Sequence, residues 1–151
     1  MLAYFNGKFL PKEKIAISPD ERGFLFADGL YEVIRSYGGR LFGLEAHLDR
    51  LARGARHLQL PVDRYGDLGS VCRRLLAKNG LAERNALIYL QITRGAPPSR
   101  RHYFPPKDTP LTVYAAAQPF EPDYDLLRQG VTVALVPDIR WARCDIKTVG
   151  L

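Results

Sequence analysis

Gly29-Leu30-Tyr31-Glu32-Val33-Ile34-Arg35-Ser36-Tyr37, then Gly38-Gly39 and Arg40-Leu41-Phe42, then Gly43-Leu44-Glu45-Ala46-His47-Leu48-Asp49-Arg50-Leu51, is the run that decides the fold. Its first part is rich in Tyr, Val and Ile, residues that suit a pleated, half-buried surface. The glycine pair turns the chain and Arg40-Leu41-Phe42 returns it, so a β-hairpin is expected here. The pattern then becomes helical. Leu44, Leu48, Leu51, Ala52, Ala55 and Leu58 fall at helical spacing and form one apolar stripe, while His47 and Arg50, three apart, share another face.

Towards the N-terminus, Tyr4-Phe5-Asn6-Gly7-Lys8-Phe9-Leu10 reads as another hairpin, with Asn-Gly supplying the positive φ angles of a type I′ turn. Pro11 and Pro19 bracket a short expected strand, Ile15-Ala16-Ile17. Towards the C-terminus, a second helix is expected over 67–78, with Leu68, Val71, Cys72, Leu75 and Leu76 inward and Asn79-Gly80 as its stop. Strands are expected at Ala86 to Thr93, Leu111 to Ala117 and Val131 to Val136. Between the first two, residues 95–110 form a loop carrying five prolines, and a loop that long inside a compact domain is more often functional than idle.

Strands, two helices, then strands predict an α+β fold with a mostly antiparallel sheet flanked by two helices. Residues 1–118 are expected to form an N-terminal small domain, with 119–126, containing Pro119 and Pro122, linking to a second one. Residues 127–151 would open that second domain without finishing it, since about 25 residues are too few for a core. The chain is therefore expected to be the N-terminal half of a longer protein.

Composition sets broad limits. The 151 residues are 46% hydrophobic and 25% charged, which is globular rather than disordered. No stretch approaches the roughly 18 apolar residues of a membrane span. The first residues, Met-Leu-Ala-Tyr-Phe-Asn-Gly-Lys, lack the basic-then-apolar order of a secretion leader. Two cysteines, Cys72 and Cys144, suggest neither a disulfide framework nor a metal site, and fit reduced thiols in a cytoplasm. The net charge of +6 could serve a polyanionic partner. Nucleic-acid binding would need a concentrated basic stripe with interleaved aromatics, whereas the arginines here are scattered. Only Arg50/Arg53/Arg56 and Arg100/Arg101/His102 are grouped.

Lys147 is the candidate for covalent chemistry. A lysine amine attacks a carbonyl from a shielded site where it can lose its proton. Lys147 follows Trp141, Ile146 and the expected Val131 to Val136 strand, which would draw it inward. The alternative for this segment alone is a surface lysine beside Asp145.

Four stretches carry a resemblance. They are Glu21-Arg22-Gly23-Phe24-Leu25-Phe26-Ala27-Asp28-Gly29-Leu30-Tyr31-Glu32, His47-Leu48-Asp49-Arg50-Leu51, Gln91-Ile92-Thr93-Arg94-Gly95 and Arg143-Cys144-Asp145-Ile146-Lys147. Together, in this order and spacing, they resemble the class IV (fold type IV) aminotransferases, which use pyridoxal 5′-phosphate. The resemblance implies that Lys147 holds that cofactor covalently and that Arg50 binds its phosphate. Tyr31 would complete a trap for the substrate's α-carboxylate. The Arg100-Arg101-His102 run is similar to an Arg-x-His motif of the branch acting on D-amino acids, where Arg100 and His102 would hold that carboxylate. Whether Arg100 or Arg101 grips it stays open. Glu32 and His47 are expected to support the site, and Arg22 and Asp28 to hold the turn entering the Tyr31 strand.

The activity so implied is transfer of an amino group from a D-amino acid, such as D-alanine, to an α-keto acid, 2-oxoglutarate, in a homodimer. Branched-chain L-amino acid aminotransferase and 4-amino-4-deoxychorismate lyase share the fold and the lysine, and are the alternatives. A non-catalytic basic binding module is the alternative of another class.

Overall fold

The computed structural model describes residues 1–61, 66–137 and 144–150. Six strands form a single sheet: β1 (Leu2–Phe5), β2 (Lys8–Pro11), β3 (Gly29–Tyr37), β4 (Arg40–Leu41), β5 (Ala86–Thr93) and β6 (Thr112–Pro119). Their order is β2-β1-β6-β5-β3-β4 and every pairing is antiparallel. Four α-helices accompany them: α1 (Arg22–Phe26), α2 (Leu44–His57), α3 (Leu68–Lys78) and α4 (Tyr124–Gln129). The α+β expectation holds, with α2 packed on β3 and α3 on β6 and β1.

Strand periodicity explains the layering. On β3, Leu30, Glu32, Ile34 and Ser36 are buried, and on β5 Ala86, Ile88, Leu90 and Ile92 are. Alternate residues of a strand share a face, and the apolar ones among these meet Leu51 and Ala55 of α2 and Val71, Cys72, Leu75 and Leu76 of α3 in one core. Each fully buried Leu or Ile contributes about 1.5–3 kcal/mol by leaving water. The opposite face, turned away from α2 and α3, carries Tyr31, Val33, Tyr89, Gln91 and Tyr114.

Turn chemistry fixes the hairpins. Asn6 and Gly7 have φ of 44° and 89°, as a type I′ turn requires. Asn6 also receives the Val113 N–H on its Oδ1 at 2.7 Å, tying the turn to β6. The α3 N-terminus is capped by Asp67, whose carboxylate accepts the Ser70 N–H at 2.9 Å.

Two expected strands are corrected. Residues 15–17 follow a 3-10 turn at Lys12–Lys14 and have no strand neighbour among the described residues, and Ile17 is exposed. Residues 131–136 likewise form no strand. Val131, Val133, Leu135 and Val136 are all exposed, Leu135 at 98%. Apolar β-branched residues favour extended backbone, but a strand also needs a neighbour for its N–H and C=O groups, and none lies beside them among the described residues. Helix α1 was not expected, being only five residues long; Glu21 caps it by accepting the Phe24 N–H at 3.0 Å. Helix α4 starts inside the expected linker and runs past residue 127.

Candidate active site

Strand β3 carries one side-chain group on each of its faces, because successive residues point to opposite sides. Tyr31 lies on the open face and Glu32 on the helix-covered one. On β3's first residues, the edge opposite β5 is taken by residues 147–149. Tyr31 N–H donates to the Lys147 carbonyl at 3.1 Å and Val149 N–H to the Gly29 carbonyl at 3.0 Å. Leu30 and Thr148 form an antiparallel bridge. Ile146, buried in the core cluster, anchors the segment.

Lys147 is thereby half-buried beside Tyr31. Its Nζ donates to Tyr31 Oη at 3.1 Å and lies 4.2 Å from the centre of the Tyr31 ring. The inward pull expected from Val131 to Val136 is not what places it; Ile146 and the pairing with β3 do so. Arg140 to Arg143, including Trp141, lie outside the described residues.

Tyr31 has its own support. Its ring stacks on Tyr89, 5.9 Å centre to centre, and Tyr89 leans on Tyr114 at 6.3 Å. Tyr89 Oη donates to Gln91 Oε1 at 2.5 Å. Burial, and then the neighbouring Tyr31 and Tyr114, push the Tyr89 phenol above its ordinary pKa. It therefore stays a protonated donor while it orders the aromatic row.

On the other face, Glu32 is fully buried and accepts from two residues of α2. Arg50 donates through Nε to Oε1 at 2.7 Å and through Nη2 to Oε2 at 2.5 Å. His47 Nδ1 lies 2.7 Å from Oε2. Burial alone would raise the Glu32 pKa, but the hydrogen bonds and charges of Arg50 and His47 together outweigh it and hold it below the ordinary carboxylate value. The Arg50 side chain remains 41% exposed, and its Nη1 takes no part in this pairing. It is an oriented cation with donors to spare.

Arg100 and His102 stand apart from this pair. Arg100 Nη1 lies 3.2 Å from His102 Nε2, and both side chains rest against Phe26. Their hydrogen bond and ring contacts do not extend to Tyr31 or Lys147. Arg101 takes part through its backbone carbonyl, which accepts from Arg22 Nη1 at 2.8 Å. The loop's neck is closed by Gly95, at φ +85°, where a Cβ would lie 1.9 Å from the Pro110 carbonyl oxygen.

Arg22 and Asp28 hold the turn into β3 as expected, with Nε to Oδ2 at 2.7 Å. Arg94 joins them and was missed by sequence reasoning. It donates to the same Asp28 oxygen at 2.8 Å and to the Leu58 and Gln59 carbonyls closing α2. Tyr89, Gln91 and Phe26 were missed as well. The last two lie inside stretches that carried the resemblance, which was the only available signal. Among the described residues no three His, Cys, Asp or Glu side chains gather to hold a metal ion.

The fold and these clusters belong to a recognisable class. The sequence model for "Amino-transferase class IV" matches residues 29–151, and the chain belongs to that family. It is 40% identical over 149 residues to a D-alanine aminotransferase of Staphylococcus haemolyticus, covering 98% of this chain and 52% of the relative. The chain thus spans about half the length of the curated relatives it matches. Among solved structures, the branched-chain amino acid aminotransferase of Escherichia coli superposes with a TM-score of 0.80 at 24% identity, over 99% of this chain and 50% of that one. A hypothetical aminotransferase from Mycobacterium tuberculosis, in a PLP-bound form, gives a TM-score of 0.59 at 23% identity, over 79% of this chain and 39% of that one.

Proposed function

We propose that this chain forms the lysine-bearing part of a pyridoxal phosphate-dependent aminotransferase that moves the amino group of a D-amino acid, such as D-alanine, to 2-oxoglutarate. The observation that carries the reading is the half-buried Lys147 amine donating to Tyr31 Oη, 3.1 Å away, with an oriented arginine on the neighbouring helix. The donor set fits a phosphorylated aldehyde: an amine to hold the carbonyl carbon and, in Arg50, a guanidinium with uncommitted donors for the phosphate. When bound, pyridoxal phosphate supplies an aldehyde to receive the amino group and a ring that weakens the substrate's Cα–H bond.

The protein's part is orientation and proton transfer. Lys147 Nζ would hold the cofactor and, when released from it, would serve as the base for the substrate's Cα proton. Tyr31 Oη, fixed by the Tyr89 stack, steadies that amine and faces the substrate carboxylate. Glu32 fixes the Arg50 guanidinium, which would bind the phosphate. Arg100 and His102 hold the α-carboxylate, a planar anion suited to a guanidinium fork with one more donor. Since their contacts lie with Phe26 rather than with Tyr31 or Lys147 of the same chain, we assign them to the neighbouring subunit's site in a homodimer.

The sheet body through residue 118 acts as the small domain, with the segment after 126 opening the next. A cytoplasmic location is the reading we favour. It is supported by the thiol of Cys72, buried in the core, and no described helix is long and apolar enough to cross a membrane.

A full-length protein assayed with D-alanine and L-leucine as donors tests this directly; a better rate with L-leucine would overturn the D-specific reading. Replacing Lys147 by Ala is expected to lower turnover by at least roughly 10²–10⁴-fold from lost acid–base catalysis alone, and to abolish a borohydride-trapped adduct with the cofactor. Survival of that adduct would sink the assignment.

A further inference from the structure

The loop that carries Arg100 and His102 is exposed and rich in proline, yet its two functional side chains share one support. Phe26, the last residue of α1, has the Arg100 guanidinium carbon 4.8 Å from its ring centre and the His102 ring at 5.5 Å. The Arg22 guanidinium lies 4.8 Å from the same centre. Arg22 is nearly fully buried, and Asp28 holds its Nε. Its Nη1 donates to the carbonyls of Arg101 and Tyr103, at 2.8 and 3.3 Å, so it fixes the loop backbone on either side of His102. Phe26 itself is placed by the end of α1, where Ala27 turns left-handed at φ 55° and donates its N–H back to Arg22 and Gly23.

The electrostatics favour this arrangement. Two guanidinium groups close together repel, and the negative face of an aromatic ring offsets that repulsion. An exposed arginine otherwise samples many rotamers, and binding a carboxylate then costs the entropy of ordering it; a side chain already resting on a ring binds with less loss. We propose that Phe26 is a positioning residue for substrate binding, a platform that pre-orders Arg100 and His102 above a loop backbone pinned by Arg22. This rests on the reading of Arg100 and His102 as the carboxylate trap. The ligands concerned are small α-carboxylates, both amino acid and keto acid.

The test compares Phe26→Leu, which keeps apolar bulk but removes the ring, with Phe26→Tyr, which keeps the ring, in the full-length holoenzyme. Phe26→Leu is expected to raise KM for D-alanine and for 2-oxoglutarate alike by roughly 3- to 30-fold, with kcat changed by less than about twofold. Amide hydrogen exchange across residues 100–104 should quicken in Phe26→Leu, with the melting temperature unchanged. Phe26→Tyr should restore both KM and exchange. An unchanged KM in Phe26→Leu, a fall confined to kcat, or a Phe26→Tyr variant no better than Phe26→Leu overturns the proposal. Should wild type fail to use D-alanine at all, the functional reading fails; the exchange arm then still decides whether Phe26 orders the loop, and unaltered exchange there would overturn it.

Discussion

Asp28 and Glu32 flank the start of β3, and each carboxylate meets two cationic side chains, yet the two clusters are built for different ends. Asp28 joins Arg22 and Arg94, whose side chains are 5% and 9% exposed. Their further bonds run to backbone carbonyls: Arg101 and Tyr103 for Arg22, Leu58 and Gln59 for Arg94. Glu32 joins His47 and Arg50, and Arg50 keeps an exposed, uncommitted edge. A buried guanidinium bonded to backbone carbonyls ties chain segments together. One held by a carboxylate with its outer edge exposed has the form we propose for an anion site. Side-chain exposure and the kind of partner therefore distinguish the two clusters where sequence motifs cannot.

The sharpest way to break this comparison is Asp28→Ala. It would leave Arg22 and Arg94 buried without their shared partner, a loss of about 3–5 kcal/mol, roughly 6–20 °C in melting temperature. A thermal melt showing little change would mean that the cluster is not structural. Next in size is Arg50→Ala, which should weaken cofactor affinity roughly 10- to 100-fold through lost charge-assisted bonds and also lower the melt of the cofactor-free protein, because the buried Glu32 carboxylate loses its two-bond partner. A titration of the apoprotein with pyridoxal phosphate measures it, and unchanged affinity would make Arg50 merely the partner of Glu32.

Glu32→Gln sharpens the same point at smaller scale. It keeps an acceptor for Arg50 but removes the charge, with an expected cost of about 1–2 kcal/mol. Its pH dependence has a definite sign. Glu32 titrates below its ordinary value of 4.5 because Arg50 and His47 outweigh the effect of burial. A depressed carboxylate contributes stability that is complete above its unfolded pKa and is lost as pH falls through the lower folded one. Melts between roughly pH 3 and 6 should therefore fall more steeply for wild type than for Glu32→Gln. Parallel curves would remove Glu32 from the acid response.

The smallest effect concerns the thiols. Burial first, against the pull of Arg73, pushes the Cys72 thiol up to about 11. Cys144 is exposed. A thiol reagent at neutral pH should label Cys144 quickly and Cys72 only on unfolding; equal rates would show that the core under α3 opens readily.

Much of the fold was legible because its signals are local. The β3 hairpin, helices α2 and α3, and strand β5 follow from the spacing of apolar residues and from Asn-Gly and Gly-Gly turns. Residues 15–17 and 131–136 failed for one reason: extended apolar residues make a strand only beside a partner, and pairing is not a local property. Tyr31 and Lys147 were both singled out in the sequence, and they meet across 116 positions through backbone pairing that no periodicity announces. Arg94 and Phe26 were overlooked because an arginine's or a phenylalanine's role depends on what the fold sets against it.

By itself, the sequence determined the antiparallel α+β body, the four matching stretches and the short set of candidate side chains. Turn propensity and hydrophobic period act over a few residues, so they can be read in one dimension. Only the tertiary structure decided that Lys147 lies against Tyr31, that Arg50 is aimed by Glu32 and that Arg100 and His102 rest on Phe26. Those contacts join residues far apart in the chain, and their distances and donor pairings exist only once the core has closed.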